Sequence, residues 1–144
     1  MFILPDQRIE EMMKESGASY MNPLFRMLYL ALESNGGKLD FSAYHLSVEI
    51  AKQAGKNYPL DGDDILYLDK GPFFIPGSSS NAYNHMDAGN WLWGNVNNRL
   101  GNSVFKAKQL ATKFNSKDSD ADIRAIIVGW FYQMGFRTSA VSNK

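Results

Sequence analysis

The 144-residue chain contains no cysteine, so it can form no disulfide, no thiolate metal site and no cysteine nucleophile. Histidine is almost as scarce. The only two are His45 and His85, and with no thiolate and no helical ligand spacing between them they make no zinc site. The acidic run DGDD at 61–64 resembles part of a calcium loop but lacks the downstream bidentate Glu that closes one. No metal or other cofactor is therefore expected. Neither sign of charge is in excess: 15 Lys and Arg balance 15 Asp and Glu, which argues against the broad basic face of a nucleic-acid binder while leaving room for a small basic cleft. No apolar run approaches the ~18 residues that cross a bilayer, so no membrane insertion is expected. The opening MFILPDQ has neither a basic leader nor an apolar segment long enough for a signal peptide. Export would need a secretion machine or a larger carrier chain.

The stretch Asn84–Gly101, NHMDAGNWLWGNVNNRLG, stands out in what is present. Trp91 and Trp93 are flanked by Gly89 and Gly94, and short polar side chains (Asp87, Asn90, Asn95, Asn97, Asn98) surround them. Glycine permits bent backbone, and Asp and Asn brace turns or hold ligands, so this composition predicts a tightly bent segment that is either a buried aromatic turn with Asx caps or an active-site loop.

Elsewhere the apolar spacing is helical. Asp6 is a candidate cap for a helix over 6–16, with Ile9, Met12 and Met13 on one face and Gly17 as its stop. Asn22 and Pro23 open a second helix, LFRMLYLALE, which is apolar nearly all round and so is expected at the centre of the core. Asp40 or Ser42 caps a third, carrying Tyr44, Val48 and Ala51. Residues 56–83 form a long irregular insertion in which ILYL and FFI can pair as a small β-hairpin. Two further helices follow, one lined by Val104, Ala107, Ala111 and Phe114, the other by Ile123, Ile126, Ile127, Trp130 and Met134. Asp118, Asp120 and Asp122 suit the positive end of the last helix dipole, and Gly135 stops it. Residues 137–144 are a polar, flexible tail. The expectation is a mainly α fold: a single domain over 1–144 with about five helices, one irregular insertion and at most a small hairpin.

Three patches, in order, match one family. SNGGKLDF (Ser34–Phe41) resembles its Gly-rich turn followed by Asp and an aromatic. DAGNWLWG (Asp87–Gly94) resembles its Asp, Gly-Asn, aromatic, aromatic-Gly signature. KDSDADIRAIIVGWFYQ resembles its acidic cap and closing helix. The family is the bacterial polymorphic toxin type 44 domain. The chain departs from its pattern at Leu39, at Ser42 and Ala43, and at Asn97 and Asn98. The resemblance implies an antibacterial effector toxin used in interbacterial competition, delivered by a secretion system or a carrier chain and neutralised by a cognate immunity protein.

The chemistry has to come from the residues. Asp40 and Asp87 occupy matching motif positions, and two carboxylates in one cleft can divide general acid and base roles. Glu33 ends an apolar helix, where a raised pKa would make it an acid of the lysozyme kind. Trp91, Trp93, Asn90 and Asn97 offer flat apolar faces and amides to a sugar ring. These point to a hydrolase acting on the glycan of peptidoglycan, in the periplasm of a target cell. The alternative is a ribonuclease toxin acting in the cytoplasm, with His85, Asp87 and Arg99, and with His45 in support, cleaving RNA by its own 2′-hydroxyl. A third reading is a non-catalytic binding module that docks on a partner or glycan through the Trp pair.

Overall fold

The computed structural model describes residues 2–34, 39–41, 45–53, 55, 73–78, 80–114 and 120–132. Among them are six helices and two short strands, a mainly helical fold. The strands are β1 (Phe2–Leu4) and β2 (Phe74–Pro76). The helices are α1 (Asp6–Glu15), α2 (Pro23–Glu33), α3 (Ser47–Gln53), α4 (His85–Leu100), α5 (Val104–Phe114) and α6 (Asp120–Phe131). No described helix is long and apolar enough to cross a membrane. The expected ILYL strand, the DGDD run, Ser42, Tyr44, Met134, Gly135 and the tail lie outside the described residues.

Part of FFI does form a strand, but its partner among the described residues is Phe2–Leu4, a pairing not anticipated from the sequence. β1 and β2 pair in parallel, Phe2 with Phe74 and Leu4 with Pro76, and the Phe2 and Phe74 rings stack at 5.5 Å. Tyr83 adds an antiparallel bridge on Phe74. Leu4 and Phe74 are fully buried, so apolar side chains at the two ends of a long chain separation decide the pairing.

α1 buries Ile9, Met12 and Met13, as its spacing requires. Asp6 is its first residue rather than its cap, and the Asp6 carboxylate instead accepts a 2.6 Å bond from the Tyr132 hydroxyl beyond the end of α6. Asn22 caps α2, its Oδ1 accepting from the N–H groups of Leu24 and Phe25. α2 is not the core helix. Leu30 alone on it is fully buried, while Leu24, Phe25, Leu28 and Leu32 are 77%, 62%, 58% and 69% exposed. Asp40 lies too far ahead of Ser47 to cap α3; the Leu46 N–H reaches back five residues to the Phe41 carbonyl, a wide turn that leads into the helix.

The centre of the molecule is α4, the stretch whose composition predicts a loop. It is one unbroken sixteen-residue helix, capped by Asn84 and ended by Gly101 at φ 91°. It buries Trp91, Leu92, Trp93, Val96 and Leu100. α6 crosses it at backbone contact. A Cβ on Gly94 would overlap the Ile126 carbonyl oxygen, and one on Gly129 would overlap that of Trp91. The asparagines bind this crossing together. Asn95 donates to the carbonyls of Gly129 (3.0 Å) and Tyr132 (3.3 Å), and Asn98 to that of Trp130 (2.8 Å). The Gly129 and Trp130 carbonyls belong to the last turn of α6 and that of Tyr132 follows it; Gly129 also accepts from the Tyr132 N–H at 3.3 Å. α5 packs Ala107, Leu110 and Ala111 inward, and Ser103 caps it through the Lys106 N–H.

Candidate active site

The first turn of α4 and the first turn of α6 meet beside a surface cavity of about 450 Å³. Asn84 and Asp87 form a reciprocal cap. The Asn84 Oδ1 accepts from the Asp87 N–H at 2.8 Å, and its Nδ2 donates to the Asp87 carboxylate at 3.1 Å. That fixes the Asp87 carboxyl at the helix end, where it hydrogen-bonds to the Asp122 carboxyl of α6. The two carboxyls lie close enough that a proton on one would let it donate to the other. Asn90, one turn further along α4, donates to the other side of the pair, at 2.8 Å from Asp122 Oδ1.

Burial pushes the Asp87 carboxyl above the usual range, and the hydrogen bond to Asp122 and its negative charge push it further; the Asn84 amide and the Arg124 cation partly oppose this. Asp87 and Arg124 both line the cavity, together with Ser80, Asn81, Tyr83 and Val128. The Asp87 carboxyl, one cation and neutral polar groups thus face the same opening, with Asp122 behind Asp87. Such a pair can take a proton from water and hand one to a leaving group.

Most of the expected site residues lie elsewhere. Trp91 is fully buried and Trp93 is 7% exposed. The Trp91 ring packs on Tyr132 at 4.9 Å and the Trp93 indole donates to the Ala107 carbonyl. They are core side chains and offer no platform to a sugar. Asn97 is equally buried, bonded to the Trp93 carbonyl and to Asn102. Asn90 touches the site, but through Asp122. Neither Asp40 nor Glu33 lines the cavity that holds Asp87, so the expected pairing of these acids is replaced by Asp87 with Asp122.

The ribonuclease set is not assembled either. His85 and Asp87 are two apart on one helix and do not face each other. Arg99 stands at the opposite end of α4, about 21 Å along its axis from His85. There it bonds Glu10 at 2.7 Å and Asn95 at 3.2 Å. His45 is 1% exposed, its ring tilted against that of Phe41 at 5.1 Å, and 3.5 Å from the Glu15 carboxylate. Among the described residues no three His, Asp or Glu side chains converge as metal ligands.

Asp122 and Arg124 were the residues that sequence reasoning missed. Their signal was present in DADIR, an acid and a base on the opening turn of α6, but helix-dipole preference already explained the acid. The chain matches no family model, no curated protein and no solved structure.

Proposed function

We propose that this chain is an antibacterial effector toxin of the hydrolase class, directed at the bacterial cell wall, with the Asp87–Asp122 pair as its acid–base group. The single observation that carries the proposal is that hydrogen-bonded carboxyl pair, held by Asn84 and Asn90 at the edge of a cavity that Arg124 also lines. The resemblance of three sequence patches to a toxin family supplies the biological setting.

The geometry favours one kind of wall bond. Glycosidases hold their two carboxyls about 5 Å or more apart, on either side of the sugar linkage. Hydrogen-bonded carboxyls are closer than that and act as one unit on one side of the substrate. A pair sharing a proton suits attack of water on a carbonyl: the ionised member accepts the water proton, and the protonated member donates to the carbonyl oxygen. The substrate assigned is therefore an amide of the wall peptides rather than the glycan linkage. Arg124 supplies a cation for a peptide carboxylate entering the cavity.

Toxicity by compartment tests this. Expression with an export signal should lyse cells, and expression confined to the cytoplasm should not. Cytoplasmic killing accompanied by RNA degradation would instead support the ribonuclease and end the wall-hydrolase proposal.

A further inference from the structure

An apolar helix face turned outward needs a partner, and α2 carries one. Leu24, Leu28 and Leu32 follow each other at i, i+4, i+8, with Phe25 on one side of the row and Ala31 on the other, and all five are exposed. No charged residue interrupts the face. The two charged residues of α2 point away from it: Arg26 is half-buried and donates to the Leu100 carbonyl, and Glu33 is half-buried at the helix end. α2 binds the rest of the molecule through the opposite side, where Leu30 is fully buried and Met27 and Tyr29 pack on the core.

We infer that this face is the seam of a symmetric homodimer, the α2 helices of two copies lying antiparallel across a twofold axis at Leu28. The pattern is self-complementary. With Leu28 on the axis it meets its own copy, and the N-terminal pair Leu24 and Phe25 meets the C-terminal pair Ala31 and Leu32. Large side chains thus come against a small residue and its neighbour at both ends, the alternation that lets helices interlock. With no charge in the row, bringing two identical faces together sets no like charges against each other. A specific interface buries about 1,000 Å² in total. Four large side chains per copy, each more than half exposed, form a patch of the size that marks an interaction site, a few hundred Å² on each side. A partner with a charged binding surface fits this face badly; a second copy fits it by symmetry.

The cavity at Asp87 and this seam use different residues, so the inference stands apart from the proposed hydrolase activity. It is tested on the full chain by sedimentation. Wild type should be dimeric at about 100 µM and dissociate on dilution. Leu28→Glu and Leu28→Lys each place like charges on the axis and should weaken the dimer at least about 100-fold, with the helical circular dichroism unchanged. Mixing the two variants should restore a dimer containing one of each. A wild-type chain that is monomeric throughout overturns the inference. So does a dimer that both variants leave intact, or variants whose mixture stays monomeric.

Discussion

Gly129 sits against the main chain of Trp91 so closely that a single methyl group on it would overlap the Trp91 carbonyl oxygen. Gly94 stands in the same relation to Ile126 on the other side of the crossing. The obstacle in both cases is backbone of the facing helix, which cannot swing aside as a side chain does. Gly129→Ala and Gly94→Ala should each therefore cost about 3 kcal/mol, large for so small a change. Urea denaturation checks this. A loss below about 0.5 kcal/mol would mean that the helices do not cross at contact distance.

Asp87→Asn should raise stability at neutral pH while removing activity. The folded value of Asp87 lies above its unfolded one, because burial and the Asp122 charge disfavour ionisation. Between those two values the folded chain holds more proton than the unfolded chain, so stability falls as pH rises through the window. Above it the full penalty is present. An amide at position 87 keeps the bonds to Asn84 and Asp122 and removes the charge. The expected gain is about 1–3 °C in Tm at pH 7, vanishing in acid below the ordinary carboxylate range. Scanning calorimetry at both pH values gives the answer, and a variant less stable at neutral pH would contradict the penalty on ionised Asp87.

Arg99 and Asn95 act on the fold and not on the cavity. Arg99→Ala removes the bonds to Glu10 and Asn95, and Asn95→Ala removes the side-chain donor to the Gly129 and Tyr132 carbonyls. Each should lower stability by about 2 kcal/mol and leave the activity of the folded fraction within about threefold of wild type. Activity normalised to folded protein is the measurement. A far larger loss on Arg99→Ala would return that residue to catalysis.

The burial of the tryptophans gives a spectroscopic expectation. With Trp91 fully enclosed, Trp93 nearly so and the half-buried Trp130 indole held on the Asn102 carbonyl, soluble wall glycans should leave the indole emission of the folded chain unchanged. A saturable shift would show a sugar resting on an indole.

Helix caps and simple stripes were legible in the sequence. Asn22-Pro23 marks the start of α2, and Ile9, Met12 and Met13 mark the inner face of α1, because both signals are local. The two largest departures have one cause. α4 is rich in Gly and Asn, which are poor helix formers, and its helical state comes from partners on α6: glycine where backbones touch, and asparagine where α6 leaves carbonyls open. α2 is apolar on two sides, and nothing local tells which side faces inward. Strand pairing between Phe2 and Phe74 depends on contacts across half of the chain, so spacing alone suggested a nearer hairpin. The candidate site followed the same rule. Asp87 was visible from its motif, while Asp122 became its partner only through the α4–α6 crossing.

Release of soluble fragments from purified sacculi by the isolated protein tests the central claim most directly. Wild type should solubilise them with new free amines and no new reducing ends. Folded Asp87→Asn and Asp122→Asn should each release at least about 100-fold less. Wild-type protein that leaves sacculi intact, or an Asp87→Asn variant that releases fragments as fast as wild type, would contradict the assignment of the carboxyl pair.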